Sequence, residues 1–288
     1  MTVPGGSMTA ARVLLLTTLA MIAFAANSLL CRIALRDTAI DAVTFTTVRM
    51  IAGALTLWLI VGLRSGKTGV SGSWYSALAL FAYAITFSWA YRSLSAAAGA
   101  LLLFGAVQAT MIAWGLWTGE RLRGRQWIGL VLALAGLAGL MLPGLSAPPL
   151  GGALLMITAG MAWGVYSLRG KGGGDPAGAT AGNFLRTVPM ALALSLVLLG
   201  EARWDQAGFW YAAASGAVAS GMGYAIWFAA LPGLRATSAA TVQLSVPVIA
   251  AIGAILFLGE SLTLRLVLAS VTILGGIALV ITGSSRKI

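Results

Sequence analysis

The chain has 288 residues, of which 59% are hydrophobic and 9% are charged, and its mean hydropathy is +0.95. A soluble domain carries about a quarter charged residues, so this composition excludes a soluble globular protein and indicates a chain embedded in a lipid bilayer. The net charge of +11 is spread between the apolar runs and forms no single patch, so we expect no nucleic-acid partner. The apolar runs show no alternating strand pattern, which favours helices.

Apolar runs of about 18–22 residues recur along the sequence, and each is long enough to cross a membrane as an α-helix. We therefore predict an all-α membrane protein with ten transmembrane helices. The expected spans are 13–35, 42–61, 74–92, 96–117, 126–142, 151–169, 179–199, 209–231, 237–257 and 264–282. Within the first span, Ala23-Phe24-Ala25 resembles a signal-peptide cleavage site, but the apolar stretch is too long, and we expect no cleavage there.

The distribution of basic residues predicts the orientation of the chain. An even number of spans places both termini on the same side of the membrane. That side holds the larger share of the basic residues, namely Arg12, Arg64, Lys67, Arg121, Arg123, Arg125, Arg169, Lys171, Arg235, Arg286 and Lys287. The opposite side holds Arg32, Arg36, Arg92, Arg203 and Arg265. Because basic loops are retained in the cytoplasm, we predict that both termini are cytoplasmic.

The second half of the sequence repeats features of the first half in the same order. Gly119-Glu120 after the fourth span is matched by Gly259-Glu260 after the ninth span. Arg49 in the second span is matched by Arg186 in the seventh. A unit that recurs at half the chain length is typical of an internally duplicated membrane protein.

This duplication predicts the domain organisation. We expect one five-helix repeat over residues 1–142, a proline-containing linker over 143–150 and a second five-helix repeat over 151–288. Because five is an odd number, the second repeat enters the membrane from the opposite face. Inverted repeats of this kind surround a shared central cavity.

The sequence lacks the residues on which most membrane enzymes depend. It has no histidine, which excludes a Ser–His dyad, and it has no G-x-S-x-G motif. The single cysteine, Cys31, has no intramolecular disulfide partner, and no cluster of Cys, His and carboxylates is suited to a transition metal. We therefore expect no catalytic residue, no metal, no cofactor and no enzymatic activity.

Arg49 and Arg186 are candidates for gating or charge attraction, because each lies roughly 10 Å inside a span. A charge in the membrane is costly and usually faces a cavity or a partner. Two interpretations stay open. The arginines attract an anionic substrate group or stabilise a gate, or they snorkel to the interface and pair with a loop acid such as Asp41.

Two structural features are also predicted. Gly119, Glu120, Gly259 and Glu260 are expected to form matching corners, in which the glycine ends one helix and the carboxylate is stabilised near the N-terminus of the next. Pro247, inside the ninth span, is expected to act as a hinge.

Several aromatic and amide side chains lie inside the spans. An amide at this depth needs a partner, which directs it to the bundle interior or to a ligand. Aromatic walls with a few polar groups suit a flat and weakly polar ligand, although helix packing is the alternative explanation. The candidate substrate-binding residues are Phe24, Asn27, Tyr83, Phe87, Gln108, Trp163, Tyr166, Tyr224 and Gln243.

The ten spans, the duplication, the Gly-Glu pairs after spans four and nine and the arginines in spans two and seven together resemble the EamA-type branch of the drug/metabolite transporter superfamily. Within that branch the chain is most similar to the YddG-type exporters of aromatic amino acids. The resemblance implies an inner-membrane exporter whose helices surround a central cavity, with spans five and ten at the periphery.

We therefore expect a monomeric transporter in the lipid bilayer that exports aromatic amino acids and related hydrophobic metabolites by alternating access. No acid lies well inside a span, and no histidine is present to relay protons, which favours facilitated diffusion by a uniporter. The alternatives are an exporter of other metabolites or drugs, such as threonine, homoserine or quaternary cations, with proton coupling through an edge acid such as Glu260. A membrane enzyme acting on lipid is a more distant alternative.

Overall fold

The computed structural model describes residues 9–63, 69–119, 121–144, 147–170, 175–234, 239 and 242–283. The regular structure of these residues is helical and contains no strand, which confirms the all-α prediction. The first helices are α1 (Ala10–Asp37), α2 (Ala42–Gly62), α3 (Trp74–Tyr91), α4 (Ala96–Trp117), α5 (Gly124–Met141), α6 (Leu150–Arg169) and α7 (Pro176–Val197), followed by a 3-10 turn at Leu199–Glu201.

The second half of the chain contains an irregular helical rod. It consists of α8 (Gln206–Ala214), a π-helix (Ser215–Met222), α9 (Gly223–Ala230) and a 3-10 turn (Leu231–Gly233). We call Ser215–Met222 the π segment. Two helices follow, α10 (Ser245–Leu258) and α11 (Leu264–Gly283). The π-helix is rare in proteins and occurs frequently at functional sites.

Seven helices of the described residues are long and apolar enough to cross a membrane. They are α1, α2, α4, α5, α6, the rod at Gln206–Gly233 and α11. Helix α10 is also apolar but shorter, and α3 and α7 are not among the seven. Trp, Tyr, Ser and Thr residues lower the hydropathy of α3, and Gly, Pro, Asn, Arg and Thr residues lower that of α7.

Several of the helices begin where the sequence places Ser, Thr or Asp before an apolar run. The side chain of each capping residue accepts a hydrogen bond from a backbone N–H of the first turn, which the helix itself leaves unpaired. The capping residues are Thr9, Asp41, Ser73, Ser95, Asp175 and Asp205.

Asp41 also joins two parts of the fold. Its second carboxylate oxygen accepts a hydrogen bond from the backbone N–H of Arg203 at 2.9 Å, which ties the start of α2 to the segment before α8. Burial opposes the ionisation of Asp41, but hydrogen bonds from Thr44, Arg203 and Val43 outweigh it and lower the pKa of this carboxyl.

Close helix pairs hold the bundle together. Helix α5 packs on α11, α2 on α7, and α6 on both α3 and α4, while α1 packs on α9 and α10. Glycine permits the closest of these approaches: a Cβ at Gly276 would lie 2.5 Å from the carbonyl oxygen of Gly129, and the reverse contact is equally short. In lipid, where apolar surface gains little from burial, such packing is a main source of helix association.

The two ends of the bundle are distinguished by different contacts. We call the end with Asp41, Arg203 and Glu260 the Glu260 end. At the opposite end, the backbone N–H of Ser71 donates to the carbonyl oxygen of Gly178 at 3.1 Å, so the segment before α3 is bound to the first turn of α7. We call this the Ser71 end.

Candidate functional site

A continuous set of ring contacts lies between α1, α3, α6, α7 and α9. We call these rings the aromatic cluster: Phe24, Tyr83, Phe87, Tyr91, Trp163, Tyr166, Phe184, Tyr224 and Trp227. Trp163 lies at its centre, with its ring centroid 4.9 Å from that of Tyr83 and 5.3 Å from that of Tyr224, on which it stacks at 20°. Every aromatic residue predicted to bind substrate belongs to this cluster.

Helical spacing explains why these rings meet. Tyr83, Phe87 and Tyr91 follow one another at four-residue intervals on α3, and Trp163 and Tyr166 are three residues apart on α6. Side chains three and four residues apart share one face of a helix. Each helix therefore presents its rings to the same interior space, where they pack directly on one another.

Arg49 lies beside this cluster in the interior of the bundle. Its side chain projects from α2 and only 1% of the residue's surface is exposed. The Nη2 atom donates to the hydroxyl of Tyr83 at 3.1 Å and the Nε atom donates to Ser220 Oγ at 3.4 Å. The guanidinium carbon also lies 5.0 Å from the ring centroid of Phe87 and 5.3 Å from that of Tyr83, within the range of cation–π contact.

A chain of polar side chains continues from Arg49 across the bundle. Asn27 Nδ2 donates to the hydroxyl of Tyr83 at 3.2 Å, and Asn27 Oδ1 accepts a hydrogen bond from Ser215 Oγ at 2.7 Å. Ser215 and Ser220 both belong to the π segment, which therefore supplies the chain at both ends. The predicted amide Asn27 thus lies in the interior with partners from α3 and the π segment.

Arg186 lies in different surroundings from Arg49. Its Nη1 atom donates to the carbonyl oxygens of Ser71 at 2.7 Å and Gly182 at 2.9 Å, at the Ser71 end. Its guanidinium lies 5.9 Å from the ring of Trp74. The two arginines are therefore not brought together, and Arg186 takes the half-exposed edge position that the snorkelling interpretation describes.

The remaining predicted residues lie on other elements. Gln108 is buried in α4, and Gln243 is half-buried just before α10. Pro247 stands in the first turn of α10, directly after a helix interruption at Leu244. Because proline lacks the N–H that would continue the preceding turn, this position explains the interruption.

Glu260 occupies a buried corner at the Glu260 end. Its Oε1 atom lies 3.2 Å from Arg32 Nε, and its Oε2 atom accepts a hydrogen bond from the backbone N–H of Ala96 at 2.8 Å. The carboxylate therefore caps α4, whereas the sequence predicted stabilisation by the helix that follows Glu260. The turn at Gly259 precedes this side chain, and there the backbone N–H of Glu260 donates to the carbonyl oxygen of Ala254 at 3.0 Å.

Further arginine contacts complete this corner. Arg32 Nη1 donates to the carbonyl oxygen of Tyr91 at 2.9 Å. Arg36 pairs with Asp37 at 2.6 Å and donates to the carbonyl oxygen of Leu258 at 3.1 Å. We call Arg32, Arg36, Asp37 and Glu260 the Glu260 cluster, and it joins α1, α3, α4 and α10.

The predicted corner glycines adopt the backbone conformation that ends a helix. Gly119 has φ +94° and Gly259 has φ +64°, values at which a Cβ would be strained. Glu120, the predicted carboxylate of the first corner, lies outside the described residues.

No group of His, Cys, Asp and Glu in the described part of the chain is suited to hold a metal ion. A cleft of about 210 Å³ lies at the Glu260 end, between the start of α2 and the end of α7. Its lining includes Asp41, Thr47 and Ser195, so it is separate from the aromatic cluster.

Sequence reasoning missed several residues of the interior. Ser215 and Ser220 lie in a run of small residues that reads as ordinary helix packing, and nothing in that run predicts a π-helix. Asn183 was also missed, although the criterion applied to the other amides would have selected it. It is buried, accepts a hydrogen bond from the backbone N–H of Ser73 at 2.9 Å and donates to the hydroxyl of Tyr166 at 3.4 Å.

Comparison with known proteins identifies relatives of the whole chain. Residues 11–142 and 150–282 each match the EamA-like transporter family. An uncharacterized protein of Pseudomonas aeruginosa is 58% identical over 271 residues, which cover 94% of this chain and 94% of that protein. One crystal structure of a protein, 16% identical, superposes with a TM-score of 0.65 over 97% of this chain and 100% of the other, which shows similarity of fold alone.

Proposed function

Because the chain belongs to the EamA-like transporter family, we propose that this membrane transporter exports aromatic amino acids and related hydrophobic metabolites. The aromatic cluster with the buried guanidinium of Arg49 beside it is the observation that carries this choice. Aromatic faces bind flat apolar groups, and a few fixed polar groups orient them. The YddG-type exporters of aromatic amino acids, which the sequence resembles, have the same substrate class.

We propose an architecture of ten membrane-spanning helices in two inverted repeats, with a linker over 143–150. The two matched segments, 11–142 and 150–282, support a division near this point. The helix pairs support it as well. Suppose that the helices α1 to α5 correspond, in this order, to α6, α7, the rod, α10 and α11. The contact between α3 and α6 then corresponds to the contact between the rod and α1, and both contacts are present. The pairs α2–α7 and α5–α11 then map onto themselves, as a twofold relation requires.

We place the Glu260 end outside the cytoplasm and both termini inside, in the inner membrane. The basic loops support this orientation, since most Lys and Arg residues fall on the side of the termini. The protein acts as a monomer. With this orientation, the Glu260 cluster joins α1, α3, α4 and α10 at the outer end, and we expect alternating access to require these contacts to separate during each cycle.

We propose facilitated diffusion rather than proton coupling. The described acidic residues lie at helix ends and in loops, and Glu260, which lies near Tyr91 at one edge of the aromatic cluster, is already paired with Arg32, which disfavours its exchange of a proton for substrate. A pH gradient alone should then drive no accumulation above equilibrium. Concentrative uptake under such a gradient would instead favour coupling through Glu260.

Counterflow in proteoliposomes tests the proposed substrate. Protein reconstituted with unlabelled L-tryptophan inside should take up labelled L-phenylalanine and L-tryptophan transiently above equilibrium. Labelled threonine, homoserine and a quaternary cation should not exchange. Exchange of one of these compounds without exchange of phenylalanine or tryptophan would reject the proposed substrate class.

Replacing the central ring of the cluster should impair this exchange. We expect Trp163→Leu to lower the counterflow rate for tryptophan about tenfold, because it removes the central indole on which the substrate ring is proposed to stack, and one aromatic contact contributes about 0.5–1.5 kcal/mol. The matched control is Trp114→Leu on α4, whose side chain is 54% exposed and faces away from the cluster. Equal rates for the two variants would show that Trp163 only packs helices.

A further inference from the structure

The guanidinium of Arg49 has a buried donor that the protein leaves unused. Two of its nitrogens donate to Tyr83 and Ser220, but Nη1 is buried and has no hydrogen-bond partner among the described residues. A buried donor without a partner is disfavoured, and a charged one more so, because its lost hydration is not replaced. Such a group in a native interior needs an explanation, and a ligand that completes its hydrogen bonds is one.

No acid in the described part of the chain forms an ion pair with Arg49 either. The ion pairs found among the described residues join Arg32 and Arg36 to Asp37 and Glu260. Arg49 instead contacts hydroxyl groups and aromatic faces, which stabilise a cation less than a carboxylate does. An arginine keeps its charge even when it is buried. The interior therefore holds a positive charge whose counter-ion is missing from the described chain.

The hydroxyl of Tyr83 is oriented by the same contacts. It accepts one hydrogen bond from Asn27 Nδ2 and another from Arg49 Nη2. A phenol has two acceptor positions and one proton, so both acceptor positions are occupied and the proton is directed elsewhere. The O–H of Tyr83 and Nη1 of Arg49 are thus neighbouring donors beside the aromatic cluster.

Two adjacent donors, one of them charged, match the two oxygens of a carboxylate. We propose that Arg49 and Tyr83 bind the carboxylate of the substrate while its aromatic ring stacks in the cluster. This inference rests on the proposed function and names the chemical group that the site selects. Glu260, the described acid near Tyr91 at the edge of the cluster, is already paired with Arg32 and the backbone N–H of Ala96, so we expect the site to recognise aromatic monocarboxylates in general without requiring the amino group.

Three indole compounds test this assignment with the purified full-length protein in nanodiscs. L-Tryptophan carries both charged groups, indole-3-propionate carries only the carboxylate, and tryptamine carries only the amine. Isothermal titration should show binding of the two acids, with tryptamine at least about tenfold weaker. Arg49→Gln should weaken the binding of both acids by about tenfold or more and leave the affinity for tryptamine unchanged. The variant should therefore no longer prefer the acids to the amine.

A matched arginine and a second variant complete the experiment. Arg92→Gln removes an exposed guanidinium at the end of α3 and should leave all three affinities unchanged. If Arg49→Gln does not fold, Tyr83→Phe provides the test, because it removes only the hydroxyl. This variant should lower the affinity for the acids but not for tryptamine. Unchanged affinity for the acids in a folded Arg49→Gln or Tyr83→Phe protein would overturn the assignment.

The outcomes separate this inference from the proposed function. If tryptamine binds the wild type as tightly as tryptophan, carboxylate recognition is wrong while an aromatic substrate stands. If hexanoate binds with the same dependence on Arg49 and the indole acids do not, the carboxylate site stands and the aromatic substrate class is wrong. If none of the four compounds binds, both are rejected.

Discussion

Glu260→Gln should raise by about tenfold the rate at which a cysteine at position 28 reacts with a membrane-impermeant maleimide. Ser28 is 1% exposed and lies one helical turn from Arg32 towards the interior. The carboxylate of Glu260 holds both Arg32 and the backbone N–H of Ala96. A hydrogen bond to a charged group contributes about 1.5–3 kcal/mol, and about 1.4 kcal/mol corresponds to a tenfold change in population. Loss of the charge therefore favours the form that is open at the Glu260 end.

The chain offers a clean background and a matched control for this measurement. Its single cysteine is Cys31, so Cys31→Ser leaves Ser28→Cys as the only thiol. Asp37→Asn removes the charge of a neighbouring carboxylate whose pair with Arg36 is largely exposed, at 42% for Asp37. Exposed pairs contribute about 0–1 kcal/mol, so labelling should change by less than about fivefold. Equal labelling in Glu260→Gln and Asp37→Asn would show that Glu260 does not hold this end closed.

The sequence was informative about which side chains meet in the interior. Aromatic residues at three- and four-residue intervals predict a shared helix face, and Tyr83, Phe87, Trp163 and Tyr166 lie on such faces. The interior position of Asn27 could be predicted for a different reason, since lipid offers its amide no hydrogen-bond partner. These inferences depend only on helix geometry and on the cost of unpaired polar groups.

The sequence could not distinguish the two arginines inside the spans. Arg49 and Arg186 lie at similar depth in related helices, and both interpretations applied equally to each. Their difference depends on how each helix is rotated about its axis: Arg49 faces Tyr83, while Arg186 reaches the carbonyl oxygen of Ser71. Rotation is determined by the packing of neighbouring helices, which the pattern of one span does not contain.

The π segment was unpredictable for a related reason. A π-helix differs from an α-helix by a small change of winding, which the run Ser215–Met222 does not indicate by residue type. Within this segment, Gly216 packs closely on the backbone of α2. A Cβ at Gly216 would meet the carbonyl oxygen of Arg49. The partners of Arg49 on this segment therefore become apparent only in three dimensions.

Gly276→Ala should destabilise the protein, whereas Gly275→Ala should stabilise it slightly. Alanine favours a helix over glycine by about 1 kcal/mol, and both variants gain this contribution. Only at position 276 does the added methyl group meet backbone, 2.5 Å from the carbonyl oxygen of Gly129. Relieving this contact requires α5 and α11 to separate, at a cost of about 1–3 kcal/mol, while position 275 faces open space. Thermal unfolding in nanodiscs measures the difference.

The same pair of variants tests whether α5 and α11 are peripheral to the substrate site. The aromatic cluster is built from α1, α3, α6, α7 and α9, and neither member of the α5–α11 pair contributes a ring to it. Gly276→Ala should therefore lower the melting temperature while the folded protein binds L-tryptophan with unchanged affinity. A parallel loss of affinity would instead mean that the spacing of α5 and α11 is transmitted to the cluster through α4, which contacts both helices. The comparison thus separates the helices that determine stability from those that determine the substrate.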